Sequence, residues 1–134
     1  RTATNSGAGR WNAVAVPGTF TAWSSGKPVN VAITEWSAAD TYEAVTSFSC
    51  SSGLYTSNKT TITWNSPSPG GIGSNTTALR MVATHEFGHA YGLNHMSTTC
   101  NGTKTVMVQG KTKWSCSWGT EPWQDDINGV DAIY

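Results

Sequence analysis

"HEFGHAYGLNH", residues 85–95, contains all three histidines of this 134-residue chain. His85 and His89 are four residues apart, so on a helix they share one face, one turn above the other, with Glu86 between them. The helix itself is legible from Thr76 to about Tyr91, because Leu79, Val82, Ala83 and Ala90 recur at spacings of three and four. Ser74 and Asn75, just ahead of it, are both good N-cap residues. Gly92 stands where helices commonly stop in a left-handed residue. A reversal there lets His95 approach the same point from beyond the helix end. H-E-x-x-H on a helix is the arrangement that holds zinc with two imidazoles and sets a carboxylate beside it. Three neutral imidazoles with the fourth position left to water describe a catalytic zinc site, whereas a structural one is closed by four protein ligands.

A lone histidine is more often an ordinary core or surface residue than a ligand, and H-E-x-x-H alone arises by chance. The full H-E-x-x-H-x-x-G-x-x-H, on a periodic helix with its cap, is far more specific. We therefore read the three imidazoles as sharing one ion.

Outward from this stretch, "SPSPGGIGSN" (66–75) breaks any regular structure. Before it, "PVNVAITEW" (28–36) alternates Val29, Val31 and Ile33 with polar partners, the period of a half-buried strand. "TYEAVTSFSC" (41–50) and "TTITWN" (60–65) read as further strands, rich in β-branched and aromatic residues. "RTATNSGAGRWNAV" (1–14) reads as a weak or incomplete first helix, since its glycines oppose one. Residues 93–122 look irregular, and "WQDDINGVDAIY" (123–134) forms a final helix. Strands first and helices after predict an α+β domain.

Charged residues make up 12% of the chain, about half the usual share. The formal net charge is zero, with no basic run to bind nucleic acid. No apolar stretch approaches the ~20 residues that span a bilayer, and "RTATNSGAGRW" does not read as a signal peptide. The Ser-, Thr-, Asn- and Gly-rich composition and seven tryptophans suit a secreted domain. Neither nucleic-acid nor membrane partners are expected, and a monomer is. Any one pairing of Cys50, Cys100 and Cys116 is formally open. Cys100–Cys116 is expected, because the Gly- and Lys-containing segment between them has little core of its own, and a bridge there adds roughly 3 kcal/mol.

Residues 85–95 are similar to the zinc-binding consensus of the metzincin metallopeptidases, and especially to the matrixin-like branch. "DDINGVDAIY" (125–134) is similar to that branch's final helix. The resemblance implies a small α+β catalytic domain with a twisted, mostly parallel N-terminal sheet, an active-site helix and an irregular C-terminal part ending in a helix. One domain would span 1–134, with the upper sheet and active-site helix in 1–92. The third histidine, the Met-turn and the last helix would lie in 93–134. "TVMVQG" (105–110) offers Met107 as the methionine whose turn floors the ligands. Asp125 and Asp126 would anchor the last helix to the site; the plainer reading is acid that favours a helix N-terminus.

The chain also departs from that family. No histidine remains for a second, structural zinc, and Gln109 stands where one branch places a tyrosine ligand. Calcium stays open but unsupported, since Asp40 is the only aspartate before residue 85. No inhibitory cysteine motif appears upstream, and the family's first strand is not evident.

The implied activity is that of a secreted zinc endopeptidase acting on protein or peptide substrates. His85, His89 and His95 would hold a single zinc, and Glu86 would be general base and then acid toward a zinc-activated water. The alternative is a zinc-bound but non-catalytic protein- or peptide-binding module on the same scaffold. Loss of Glu86 or of a ligand would favour that alternative, and neither is lost. For substrate, Thr61, Ile62, Thr63 and Trp64 would form an edge strand that pairs with an extended peptide, or equally an ordinary internal strand. The segment after Met107, with Trp114, Trp118 and Trp123, would wall the pocket or simply pack the core.

Overall fold

The first helix, α1 (Thr2–Asn12), lies against α2 (Thr76–Ala90), and the approach is close. A Cβ on Gly7 would stand 2.6 Å from the carbonyl carbon of Ala83. The glycines that weaken α1 by propensity are thus matched by what Gly7 permits, which is backbone-to-backbone contact with the helix carrying the histidines. Trp11, at the end of α1, is fully buried, and its indole N–H donates to the Thr84 carbonyl at 2.8 Å.

The computed structural model describes residues 2–22, 24–25, 31–36, 42–51, 54–55, 60–65, 72, 74–110 and 112–134. Between the two helices come β1 (Val31–Trp36), β2 (Ala44–Ser47), β3 (Cys50–Ser51), β4 (Leu54–Tyr55) and β5 (Thr60–Asn65). The main sheet has the order β1-β5-β2. β1 runs parallel to β5, with Ile33 beside Ile62, and β2 runs antiparallel to it, with Thr46 beside Ile62. β3 and β4 form a separate antiparallel pair.

Two expectations are corrected here. Among the described residues the main sheet is not mostly parallel: of the two pairings in its three strands, one is parallel and one antiparallel. Thr61, Ile62, Thr63 and Trp64 do not form an edge, because β5 is hydrogen-bonded on both sides and has no free backbone row to offer. Among the described residues the edges are β1 and β2. Val31 packs against the core, whereas Ile33, further along the edge strand β1, is 44% exposed. Val29 lies outside the described residues.

α2 begins where a cap makes it begin. Asn75 is extended, and its Oδ1 accepts from the backbone N–H groups of Thr77 and Ala78, each at 3.1 Å. It ends at Gly92, with φ of +95°, where Gly92 N–H donates to His89 O and Leu93 N–H to Gly88 O. These two bonds form a Schellman motif, which turns the chain back under its own helix.

Ile62, Phe87, Tyr91, Leu93, Val106, Met107 and Val130 close around Trp11 as the core. Phe20 meets Phe87 and Tyr91 edge-on, at 4.6 and 4.8 Å between ring centres. Beyond α2, Met96 N–H donates to Met107 O, so the two methionine-bearing segments run side by side. Two short elements follow, α3 (Thr112–Ser115) and α4 (Gln124–Ile133). A disulfide joins Cys100 to Cys116 and ties the irregular segment together.

Candidate metal centre and active site

α2 buries Thr84 through His89 in an unbroken run, which places His85 and His89 on the side of the helix that faces the chain's return. His85 Nδ1 donates to Val106 O at 2.7 Å, and His89 Nδ1 donates to Leu93 O at 2.6 Å. A carbonyl oxygen can only accept, so both rings carry their proton on Nδ1 and turn a bare lone pair outward at Nε2. His95 comes in beyond the Gly92 turn and is solvent-exposed. Its Nε2 lies 3.2 Å from His85 Nε2 and 3.1 Å from His89 Nε2.

Two lone pairs aimed at one spot repel unless a cation lies between them. Ligand atoms of a tetrahedral zinc with bonds of ~2.0–2.1 Å stand roughly 3.3 Å apart. The observed spacings are within a few tenths of an ångström of that, and the donor set suits zinc. The three histidines could therefore hold a metal ion. Burial holds His85 well below the usual imidazole range, with the Lys113 charge adding to it, and burial likewise lowers His89 and His95. Neutral imidazole, the form that binds a metal, is thus favoured.

The support continues outward from His85. The N–H of Val106, the residue whose carbonyl holds that ring, donates to the Asp126 carboxylate at 3.0 Å. The same carboxylate accepts from the Thr105 hydroxyl and from Trp123 N–H, the latter at 2.8 Å. Asp126 is buried in the first turn of α4, so that helix is tied through Val106 to the histidine-bearing face of α2. Asp125 is exposed. Of the two aspartates, Asp126 has the geometry of an anchor. Met107 is buried directly against Gly88, where a side-chain Cβ would collide with its sulfur, so the glycine of H-E-F-G-H admits the methionine beneath the histidine-bearing turn.

Glu86 is 4% exposed, and its Oε2 accepts the hydroxyl of Thr46 on β2 at 2.6 Å. Burial raises its pKa above the usual carboxylate range, against the pull of that hydrogen bond and of Lys113. Glu86, the three histidines and Thr46 all line one cavity of about 630 Å³. Val45 and Trp114 border it too, 42% and 40% exposed, together with Gln109, Gly110 and Lys113. None of the β5 residues 61–64 lines it, and neither do Trp118 and Trp123, which pack inward instead.

Thr46 and Lys113 also line this cavity, and no local sequence signal points to either. Nothing in a strand threonine marks it as a partner of a distant glutamate. A lysine in a Gly- and Lys-containing loop reads as solvated surface, yet Lys113 is buried, and burial lowers its ammonium to about 8 despite the Glu86 and Asp126 charges.

A buried glutamate thus stands beside three converging imidazoles, at the wall of an open cleft. The family model described as Matrixin matches residues 21–134, and the chain belongs to the matrixin family. Comparison with curated proteins returned no match. The matrixins are zinc metallopeptidases, so protein or peptide is the class of substrate that membership implies.

Proposed function

We propose that the chain is a secreted zinc endopeptidase, one catalytic domain over residues 1–134 in which 1–92 and 93–134 supply the two sides of the cleft. His85, His89 and His95 would hold the ion. The observation that carries this reading is the meeting of three Nε2 atoms within hydrogen-bonding distance of one another, beside a buried Glu86.

Zinc, when bound, supplies a Lewis acid that polarises the scissile carbonyl and acidifies water. The rest falls to this chain's side chains. Glu86, its Oε2 steadied by Thr46, keeps its other oxygen for the proton of the attacking water and passes that proton to the leaving amine. Burial raises its pKa, which favours the half of that exchange in which Glu86 holds the proton. Met107 floors the ligands through its contact at Gly88. The substrate strand moves from β5 to β2, whose outer backbone row is unpaired among the described residues and which lines the cavity. An extended peptide adding to β2 would lie across the three histidines. The Cys100–Cys116 disulfide fits an oxidising, extracellular setting.

The test is cleavage of a diverse peptide library by wild type beside Glu86→Ala, read by mass spectrometry at matched zinc content. Removal of a general base costs on the order of 10²- to 10⁴-fold in rate, and the variant should keep its zinc. Comparable cleavage by both proteins would remove Glu86 from the mechanism. Zinc-loaded wild type that binds peptides without cutting them would make this a binding module instead.

A further inference from the structure

Lys113 is the only lysine or arginine among the described residues that line the cavity. It is 6% exposed, and its ammonium donates to Val108 O at 3.0 Å. That bond occupies one of three protons. Among the described residues no carboxylate lies within 4.0 Å of it, although Glu86 and Asp126 are near enough to act on its charge. The cavity's other acid, Glu43, accepts from Ile72 N–H. A buried cation that needs only to brace one carbonyl is a costly device, since a neutral donor would serve. This one borders an open cavity with donors to spare.

Its surroundings indicate what would use them. Lys113 sits with Gln109, Gly110 and Trp114, on the stretch that follows Met107. Ala78, Met81 and Val82 of α2 add apolar wall to the same cavity. An aliphatic stem fits such walls, and a charge pair formed among them is stronger than one in water. Glu86 and Asp126 oppose an incoming anion, but a dication held by the three histidines would, together with Lys113, outweigh them.

We propose that Lys113 is a specificity-determining residue that reads a substrate carboxylate on the amine-leaving side of the scissile bond. The carboxylate is either an Asp or Glu side chain or a peptide's free C-terminus. This inference rests on the peptidase reading above.

The test uses peptides identical except for Glu, Gln or Leu directly after the scissile bond, each with a free or an amidated C-terminus. Wild type, Lys113→Met and Lys113→Arg are compared by kcat/KM. Binding of the matching product peptides is followed by calorimetry, which reads the site without turnover. Wild type should prefer Glu over Gln about tenfold or more, as a charge-assisted hydrogen bond would give. That preference should collapse in Lys113→Met and largely return in Lys113→Arg. A merely bracing lysine would lower all substrates alike and leave the Glu/Gln ratio unmoved. A preference that follows the free C-terminus and ignores the side chain assigns Lys113 to the terminal carboxylate. Equal binding and cleavage of the Glu and Gln peptides by wild type, with no preference for a free C-terminus, overturns the proposal while leaving the peptidase intact. Selective binding of Glu peptides without cleavage by any protein sustains the carboxylate site and overturns the peptidase reading.

Discussion

His85 and His89 differ from His95 in what stands behind them. The first two are buried on α2, and each has its Nδ1 proton spoken for by a backbone carbonyl. For His85 that carbonyl belongs to Val106, itself held by Asp126. His95 is exposed and lies past the helix, in the segment after the Gly92 turn. The difference would separate two jobs if the three imidazoles hold one ion. The helix pair has its tautomer and direction set by backbone carbonyls, so little ordering would remain for an ion to supply. His95, as third ligand, would close the site and could yield without disturbing the core.

Alanine at His85 and at His95 should expose that difference most sharply. Each removes a ligand and should abolish peptide cleavage. In the zinc-free protein they should part company. His85→Ala leaves a cavity and an unpartnered Val106 carbonyl, and should cost about 2–3 kcal/mol. His95→Ala, at an exposed position, should stay within about 0.5 kcal/mol of wild type. Denaturant unfolding in the presence of a chelator measures both, and equal losses would break the comparison.

Asp126→Ala reaches the helix pair from one residue further away. It frees the N–H groups of Val106 and Trp123 and the Thr105 hydroxyl at once. Stability should fall by about 2 kcal/mol. Zinc affinity should fall by about 10- to 100-fold, the usual consequence of losing a partner that orients a ligand. Competition with a chromogenic chelator reads the affinity, and an unchanged value would mean that Val106 holds His85 unaided.

Lys113 gives a pH signature on the yielding side of the cleft. Its ammonium titrates at about 8 in the fold, against 10.5 as the ordinary value. Between those values the unfolded chain keeps a proton that the folded chain has released, so stability gains with rising pH. The slope is at most about 1.4 kcal/mol per pH unit. The stability of wild type minus that of Lys113→Met should therefore climb from pH 8 to 10.5 and level off on either side. A flat difference would mean that the ammonium is not held in a buried setting. The smallest expected effect is at the start of α2, where Asn75→Ala should cost about 1 kcal/mol in thermal unfolding while leaving zinc affinity unchanged.

The same contrast explains what could be read without a structure. α2 and its two ends were legible because periodicity, an Asn cap and a Gly stop are local facts, all written between residues 74 and 92. The reversal that brings His95 back followed from them. α1 was underrated, since Gly7 weighs against a helix locally and earns its place only when Ala83 lies beside it. The stretch 60–65 reads as a strand, but an edge and an internal placement are equally compatible with its residues. Alternation of buried and exposed residues looks the same whether one edge is paired or both. The partners that decide it, β1 and β2, are distant in the chain. Thr46 and Lys113 reach the cavity only through that assembly, and neither carries a local mark.

The most direct test of the account is X-ray absorption at the zinc edge, on wild type and His95→Ala loaded with one equivalent of zinc. Three imidazole nitrogens and one oxygen at about 2.0–2.1 Å are predicted for wild type, with one imidazole fewer in the variant. Sulfur in the first shell, or an imidazole count that His95→Ala leaves unchanged, would contradict the site described above.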